Sequence, residues 1–262
     1  GFQHSYVQFF VSALWSIVLG CYAFTLPPCA IKPHTESKGI GEALGLDAFK
    51  LFKQRKMALF FIFSMFLGVS LQITNGYANP FISSFAAMPE YQDVYFVDHA
   101  NLLISLSQIS ETLCILLIPF FLKRYGIKRV MLIAMVAWAF RFGFFAIGNP
   151  SFPAVTWFIL SMIVYGVAFD FFNISGSLFV NNETDSSIRS SAQGLFMIMT
   201  NGIGASIGML IAQAVVNNFT YSQEAGGQFY TVGEWPIVWG IFAAYALLVA
   251  IFFALIFKEK NQ

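Results

Sequence analysis

The chain has 262 residues, of which 58% are hydrophobic and only 10% are charged. A soluble domain normally carries about a quarter charged residues, so this composition excludes an ordinary soluble protein and indicates a helical protein that crosses the membrane several times. The net charge of +1 gives no reason to expect a nucleic-acid partner.

Few residues occur in the patterns that enzymes or metal sites use. The three cysteines, Cys21, Cys29 and Cys114, have no CxxC or CxxH neighbours, so we expect thiols packed among apolar side chains. The three histidines are scattered near linkers, and no Ser-His-Asp, HExxH or Walker pattern occurs. We therefore predict no catalytic residues, no metal and no cofactor.

Apolar segments account for most of the chain. A spanning helix needs about 20 mostly apolar residues. Seven segments qualify or nearly qualify, at residues 6–26, 57–79, 101–122, 130–147, 154–180, 192–216 and 236–257. Lysine and arginine occur in every second linker and after the last segment, whereas the linkers at 80–100, 148–153 and 217–235 contain neither. By the positive-inside rule, this alternation predicts seven crossings with a cytoplasmic C-terminus.

The longest basic linker divides the predicted helices unequally. Residues 1–30 supply one helix that ends at two prolines, residues 31–56 form a polar cytoplasmic linker with a short amphipathic piece near residues 46–52, and residues 57–262 supply six helices. Major facilitator transporters have two six-helix halves. We therefore predict an incomplete all-α major facilitator fold, the last seven of twelve helices. The rest of the N-terminal bundle is expected to be missing, since the chain begins without methionine.

Three ionisable side chains lie inside the predicted spans: Glu111, Arg141 and Asp170. At about 1.5 Å per residue, Glu111 and Asp170 each lie roughly 15 Å from one end of their helix, near the midplane of a ~30 Å hydrocarbon core. Secondary transporters place substrate and coupling-ion sites at this depth. Because burial disfavours a charged carboxylate, both groups are suited to proton coupling, and we favour Asp170. Arg141 either extends outward to the interface or pairs with one of the two carboxylates.

Amides and aromatic residues recur at helical spacing around the two carboxyl groups. Amides both donate and accept hydrogen bonds, and aromatic rings stack on flat ligands, so the pattern fits a nucleoside and, less well, a sugar. Amides in membrane helices also hold helices together, which leaves a structural role open for each of them. The candidate substrate-binding residues are Gln72, Asn75, Gln108, Glu111, Tyr165, Phe169, Asp170 and Asn173.

A glycine pair in the sixth segment predicts a close helix contact. Gly204 and Gly208 are four residues apart in an apolar helix, a spacing that lets two helix backbones approach each other. No strand precedes this stretch, so its glycines do not indicate a nucleotide-binding loop.

Three stretches carry a resemblance to a known family. They are Leu71-Gln72-Ile73-Thr74-Asn75, Ser107-Gln108-Ile109-Ser110-Glu111-Thr112 and Tyr165-Gly166-Val167-Ala168-Phe169-Asp170-Phe171-Phe172-Asn173-Ile174-Ser175-Gly176-Ser177. These stretches resemble the nucleoside:proton symporter family of the major facilitator superfamily. The linker that contains Gly126 also looks like the superfamily's cytoplasmic signature, with Lys123 in place of its acidic residue.

The resemblance implies import of purine and pyrimidine nucleosides down a proton gradient, by alternating access, across a bacterial cytoplasmic (inner) membrane. It implies nucleoside contacts from every candidate residue above except Asn173. The family's N-terminal half also contributes to the site, so we expect this chain alone not to transport. The alternatives are a sugar:proton symporter of the same superfamily and, from another class, a seven-helix receptor.

Overall fold

The computed structural model describes residues 6–27, 45–91 and 94–257. The chain divides into two compact units, Gly1–Ile40 and Gly41–Gln262. In the first unit, helix α1 covers Val7–Ala23 and lies within the first predicted segment. Cys29 and most of the predicted inter-bundle linker lie outside the described residues.

The second unit begins with a short 3-10 helix, Leu46–Lys53, which leads into α2, Arg55–Ser84. Ala48 and Leu51 are buried, whereas Lys50 and Lys53 are exposed, so the predicted amphipathic piece is confirmed. The 30 residues of α2 make a helix about 45 Å long, which is more than a ~30 Å hydrocarbon core requires.

Two of the predicted spans join to form α4, Ala100–Ile147, which follows the short helix α3, Tyr95–Asp98. A straight helix of 48 residues would be about 72 Å long, more than twice the hydrocarbon core. Gly126 interrupts it with non-helical angles, φ 76° and ψ 169°, which glycine adopts because it has no Cβ. We call residues 100–125 α4a and residues 127–147 α4b.

Five helices among the described residues are long and apolar enough to cross a membrane. Because α4 counts once but has two halves, and α1 is a shorter apolar helix, each of the seven predicted segments coincides with one helical stretch. The remaining long helices are α5, Val155–Glu183; the continuous helix Arg189–Phe219, made of α6 (Arg189–Met197), a π-helical turn (Ile198–Gly204) and α7 (Ala205–Phe219); and α8, Trp235–Ile256. Two short 3-10 helices, Phe85–Ala87 and Pro89–Tyr91, follow α2.

A two-stranded antiparallel hairpin joins α7 to α8, within the linker at residues 217–235. Strand β1 covers Thr220–Ala225 and β2 covers Gln228–Gly233. The strands pair along their whole length, from Thr220 opposite Gly233 to Ala225 opposite Gln228. Gly226 and Gly227 form the two-residue turn with φ of 58° and 75°. Two successive positive φ angles match the twist of a hairpin, and a Gly-Gly pair is the sequence signal for such a turn.

Glycine allows α2 to pack directly against the π-helical turn and α7. A Cβ on Gly68 or Gly204 would overlap backbone atoms of the facing helix, and one on Gly208 would lie 2.8 Å from Val69 Cα. The close contact predicted for Gly204 and Gly208 is therefore confirmed, and α2 is the partner helix.

Aromatic side chains fill the interior of the second unit. The fully buried Trp239 on α8 lies 4.7 Å, between ring centroids, from Phe145 on α4b. Phe60 on α2 lies 4.8 Å from Phe179 on α5. Close packing of α5 along α4, and of α8 against α4, completes the core. These contacts fix α2, α4a, α4b and α5 around a common space.

Candidate functional site

A cavity of about 370 Å³ lies where α2, α4a, α4b and α5 meet. Pockets for small ligands have roughly this size or larger. Helices α2 and α4a contribute residues at i, i+3 and i+4 spacing, so each presents one face to the cavity, and α4b and α5 contribute one residue each. The lining residues are Thr74, Asn75, Ala78 and Asn79 of α2; Ile104, Ser107, Gln108 and Glu111 of α4a; Arg141 of α4b; and Tyr165 of α5.

The structure brings five of the residues singled out in the sequence to this cavity. Asn75, Gln108 and Glu111 lie on facing helices, and Arg141 and Tyr165 complete the wall. The side chains of Asn75, Gln108 and Glu111 form no hydrogen bond with any residue that the structure describes. Two amides and a carboxylate with free hydrogen-bonding groups therefore converge on one open cavity, in which Asn75 and Gln108 are exposed and Glu111 is half-buried.

Arg141 is buried, with 2% of its surface exposed. Its Nε donates to Thr74 Oγ1 at 3.3 Å, and Nη1 donates to the Ser161 carbonyl at 2.8 Å. Within residues 6–27, 45–91 and 94–257, no carboxylate lies within 4.0 Å of the guanidinium. Arg141 thus neither extends outward nor forms an ion pair with Glu111 or Asp170, because tertiary contacts with α2 and α5 hold it.

Tyr165 is held by rings and by the guanidinium. The guanidinium carbon of Arg141 lies 4.2 Å from the centroid of its ring, a cation–π contact. Phe169 stacks parallel to Tyr165 at 5.8 Å, and Trp138 meets it edge-on at 5.7 Å. Phe169 itself is half-buried against the core and is not among the cavity-lining residues.

Asp170 lies outside the lining of the cavity, on α5 and five residues beyond Tyr165. Only 7% of its surface is exposed, and Oδ2 is buried without a hydrogen-bond partner among the described residues. An unpaired carboxylate in a low-dielectric interior is costly, and protonation removes that cost.

Two further candidates, Gln72 and Asn173, are half-buried and do not line the cavity. Conversely, we did not predict Thr74, Asn79 and Ser107 as site residues, although the structure places them in the wall. Helical spacing could have identified two of these three residues. Asn79 follows Asn75 by four residues and Ser107 precedes Glu111 by four, so each shares a helix face with a predicted site residue.

Asn79 closes one end of this wall with a polar contact. Its Nδ2 donates to Asn101 Oδ1 at 2.9 Å, and Ser83 Oγ donates to Asn79 Oδ1 at 3.0 Å. The first bond joins α2 to the start of α4a, so the two helices are tied beside the cavity.

Comparison with known proteins identifies the group to which this arrangement belongs. The sequence model that describes the nucleoside H⁺ symporter family matches residues 1–262 of this chain. The chain belongs to the nucleoside H⁺ symporter family. Within this family it is 49% identical over 258 residues to the xanthosine permease of Escherichia coli (strain K12), an alignment that covers 98% of this chain and 60% of the permease. It is 47% identical over 261 residues to the nucleoside permease NupG of the same organism, covering 100% of this chain and 60% of NupG.

Solved structures of family members show the same fold. The crystal structure of an aspartate-to-alanine mutant of the nucleoside transporter NupG matches with a TM-score of 0.82, at 47% identity, over 97% of this chain and 61% of that one. A second NupG crystal structure matches with a TM-score of 0.77 over 98% and 61%. The predicted helical transporter fold is confirmed, with the short hairpin as an addition to it, and the chain spans about 60% of the length of these relatives.

Membership in the nucleoside H⁺ symporter family confirms the resemblance that the sequence motifs indicated. The family and its relatives are transporters, and the chain is a multi-pass membrane protein. Within the described residues, no group of three or more histidine, cysteine, aspartate or glutamate side chains is placed to hold a metal ion.

Proposed function

We propose that this chain forms the substrate-binding bundle of a proton-coupled nucleoside importer. The observation that carries the proposal is the convergence of Asn75, Gln108 and Glu111, all without a hydrogen-bond partner among the described residues, on one membrane cavity. Polar groups are costly inside a membrane unless a ligand or another residue satisfies them. A substrate with several donors and acceptors would satisfy these three together.

The chemistry of a nucleoside matches the wall. Its ribose hydroxyl groups donate to a carboxylate such as Glu111, and the ring carbonyl and N–H groups of the base pair with the amides of Asn75 and Gln108. Tyr165 adds an aromatic surface for the flat base. Gln72, Phe169 and Asn173 support this wall or contact the substrate when the bundle moves.

Proton coupling is assigned to Asp170, with Glu111 as the other candidate. When the nucleoside and a proton are both bound, Asp170 is neutral, and the loaded bundle reorients without an unpaired internal charge. Release of the proton on the cytoplasmic side restores the charge and favours release of the substrate. Burying an unpaired carboxylate is energetically unfavourable, so the bundle reorients readily only when Asp170 has bound a proton.

Alternating access requires a second bundle that moves against the first. We propose that residues 1–30 belong to the last helix of that N-terminal bundle, residues 31–56 link the bundles, and residues 57–262 form the C-terminal bundle. The chain's span of about 60% of its relatives supports this division. The basic linkers support a cytoplasmic C-terminus, and the bacterial inner membrane is the location we propose.

The test is uptake of labelled uridine by cells that express the full-length transporter containing this chain, with and without an uncoupler. Uptake that the uncoupler abolishes, and that other nucleosides but not sugars inhibit, is the expected result. Uptake inhibited by sugars instead would replace the proposal with a sugar:proton symporter. A membrane-inserted protein without uridine uptake would refute the proposal.

A further inference from the structure

Arg141 has more hydrogen-bond donors than the protein uses. A guanidinium carries five N–H donors and no acceptor. Two of them bond to Thr74 Oγ1 and to the Ser161 carbonyl, and no other hydrogen bond of this side chain to a described residue is formed. Nη2 has no hydrogen-bond partner among the described residues and is not fully buried, so its N–H groups keep some exposed surface. Since Arg141 lines the cavity, Nη2 is the group placed to meet a ligand there.

The guanidinium is also fixed in place. The hydrogen bonds tie it to α2 and α5, and the ring of Tyr165 supports its face at 4.2 Å. Ser161 Oγ donates back to the Arg141 carbonyl at 3.0 Å, which fastens α5 to α4b. A fixed donor loses little conformational freedom when a ligand binds, so its hydrogen bond is worth more than that of a mobile side chain.

We propose that Arg141 is a specificity-determining residue that donates a hydrogen bond to a carbonyl oxygen of the nucleobase. This inference rests on the proposed function. The ligand class is a nucleoside whose base carries a carbonyl on the edge remote from the ribose, at position 4 of a pyrimidine or position 6 of a purine. A group that only donates pairs with a carbonyl, which only accepts.

The division of roles between the two charged groups of the wall follows from the same rule. Glu111 only accepts when ionised, so it pairs with ribose hydroxyls or with N–H groups. Arg141 only donates, so it selects the carbonyl edge of the base. Ribose hydroxyls occur in all ribonucleosides, so pairing them with Arg141 would give no discrimination between bases.

The experiment combines a change in the ligand with a change in the protein. Labelled uridine uptake by the full-length transporter is competed with inosine and with purine riboside, which lacks the 6-oxygen. The ratio of their inhibition constants is measured for the wild type and for Arg141→Gln and Arg141→Lys. Arg129→Gln is the matched control, because Arg129 is an exposed arginine on the same half-helix and lies outside the cavity.

For the wild type and for Arg129→Gln, inosine is expected to bind about tenfold to a hundredfold more tightly than purine riboside, the usual value of a buried hydrogen bond from a charged donor. Arg141→Gln is expected to bring the ratio below about threefold, because the charged donor is lost. Arg141→Lys keeps a cation and is expected to retain part of the preference.

The outcomes separate this inference from the proposed function. If the wild type transports nucleosides but the ratio of the two inhibition constants is the same in Arg141→Gln, Arg141 does not bind the carbonyl oxygen and the inference is wrong. If the wild type transports no nucleoside, the proposed function itself is wrong. If neither Arg141 variant reaches the membrane, the wild-type ratio decides: a value below about threefold overturns the inference, because the 6-oxygen then gains no charged hydrogen bond.

Discussion

Gly68 on α2 faces the backbone carbonyl of Thr200 in the π-helical turn, and no side chain fits between them. The contact joins two helices backbone to backbone, one of which carries Thr74 and Asn75 in the cavity wall. Close approach of this kind stabilises membrane helices by van der Waals packing, since lipid offers no hydrophobic driving force between them. The position of α2, and with it one side of the candidate site, therefore depends on Gly68.

Gly68→Ala is expected to destabilise the full-length protein by about 1–3 kcal/mol, the usual cost of overpacking a well-packed contact. The added Cβ would meet backbone atoms, which cannot rotate away. Thermal unfolding of the purified protein in detergent measures the effect. Gly143→Ala is the matched control, since a Cβ at this helical glycine meets nothing within 4 Å and is expected to leave stability unchanged or raise it. Equal unfolding temperatures for Gly68→Ala and the wild type would contradict the argument.

Asp170→Asn is expected to abolish accumulation of nucleoside against a gradient while leaving exchange across the membrane intact. The amide keeps the shape of the protonated acid but cannot release a proton, so substrate binding survives and coupling does not. Uptake and counterflow of labelled uridine in energised vesicles measure the two properties separately. Asp185→Asn, at an exposed aspartate between α5 and α6, is the control and should behave as the wild type. Concentrative uptake by Asp170→Asn at the wild-type level would remove Asp170 from the coupling role.

The Glu111→Gln variant distinguishes the role of Glu111 from that of Asp170. Glu111 lines the cavity without a hydrogen-bond partner among the described residues, so its carboxylate is available to substrate hydroxyl groups. Replacing a charged acceptor with an amide is expected to raise the KM for uridine about tenfold or more. Because the proton is assigned to Asp170, the variant should still accumulate uridine when the concentration is raised above its new KM. Glu224→Gln, in the exposed strand β1, serves as the control. Loss of accumulation at saturating uridine would transfer the coupling role to Glu111.

Hydropathy alone was sufficient to predict the spanning segments, because each needs a long apolar run and only Glu111, Arg141 and Asp170 place an ionisable group within them. The contacts between segments were beyond sequence reasoning. Arg141 and Thr74 are 67 residues apart, and no periodicity within one helix predicts that they bond. Helical spacing gave the correct face for Gln108 and Glu111, whereas it placed Gln72 on the face of Asn75, and Gln72 does not line the cavity. The hairpin was missed because each strand has only six residues and lies between two spanning segments, although Gly226-Gly227 marks its turn.

The bond between Asn79 and Asn101 ties α2 to α4a beside the cavity, and a double-mutant cycle tests whether it contributes to stability. Hydrogen bonds between membrane helices average about 0.6 kcal/mol in such cycles. Asn79→Ala and Asn101→Ala are each expected to destabilise the full-length protein, and the double variant should fall short of their sum by about that amount.

Asn218→Ala is the control for this cycle, because the Asn218 amide donates to Ala214 within its own helix, 2.7 Å away. Combined with Asn79→Ala, it should give additive losses, as distant and independent sites do. Unfolding free energies in the same detergent supply all the values. Additive losses for Asn79→Ala and Asn101→Ala would mean that the two amides do not hold the helices together. In that case Asn79 would be available to the substrate, and the KM of Asn79→Ala for uridine would rise instead.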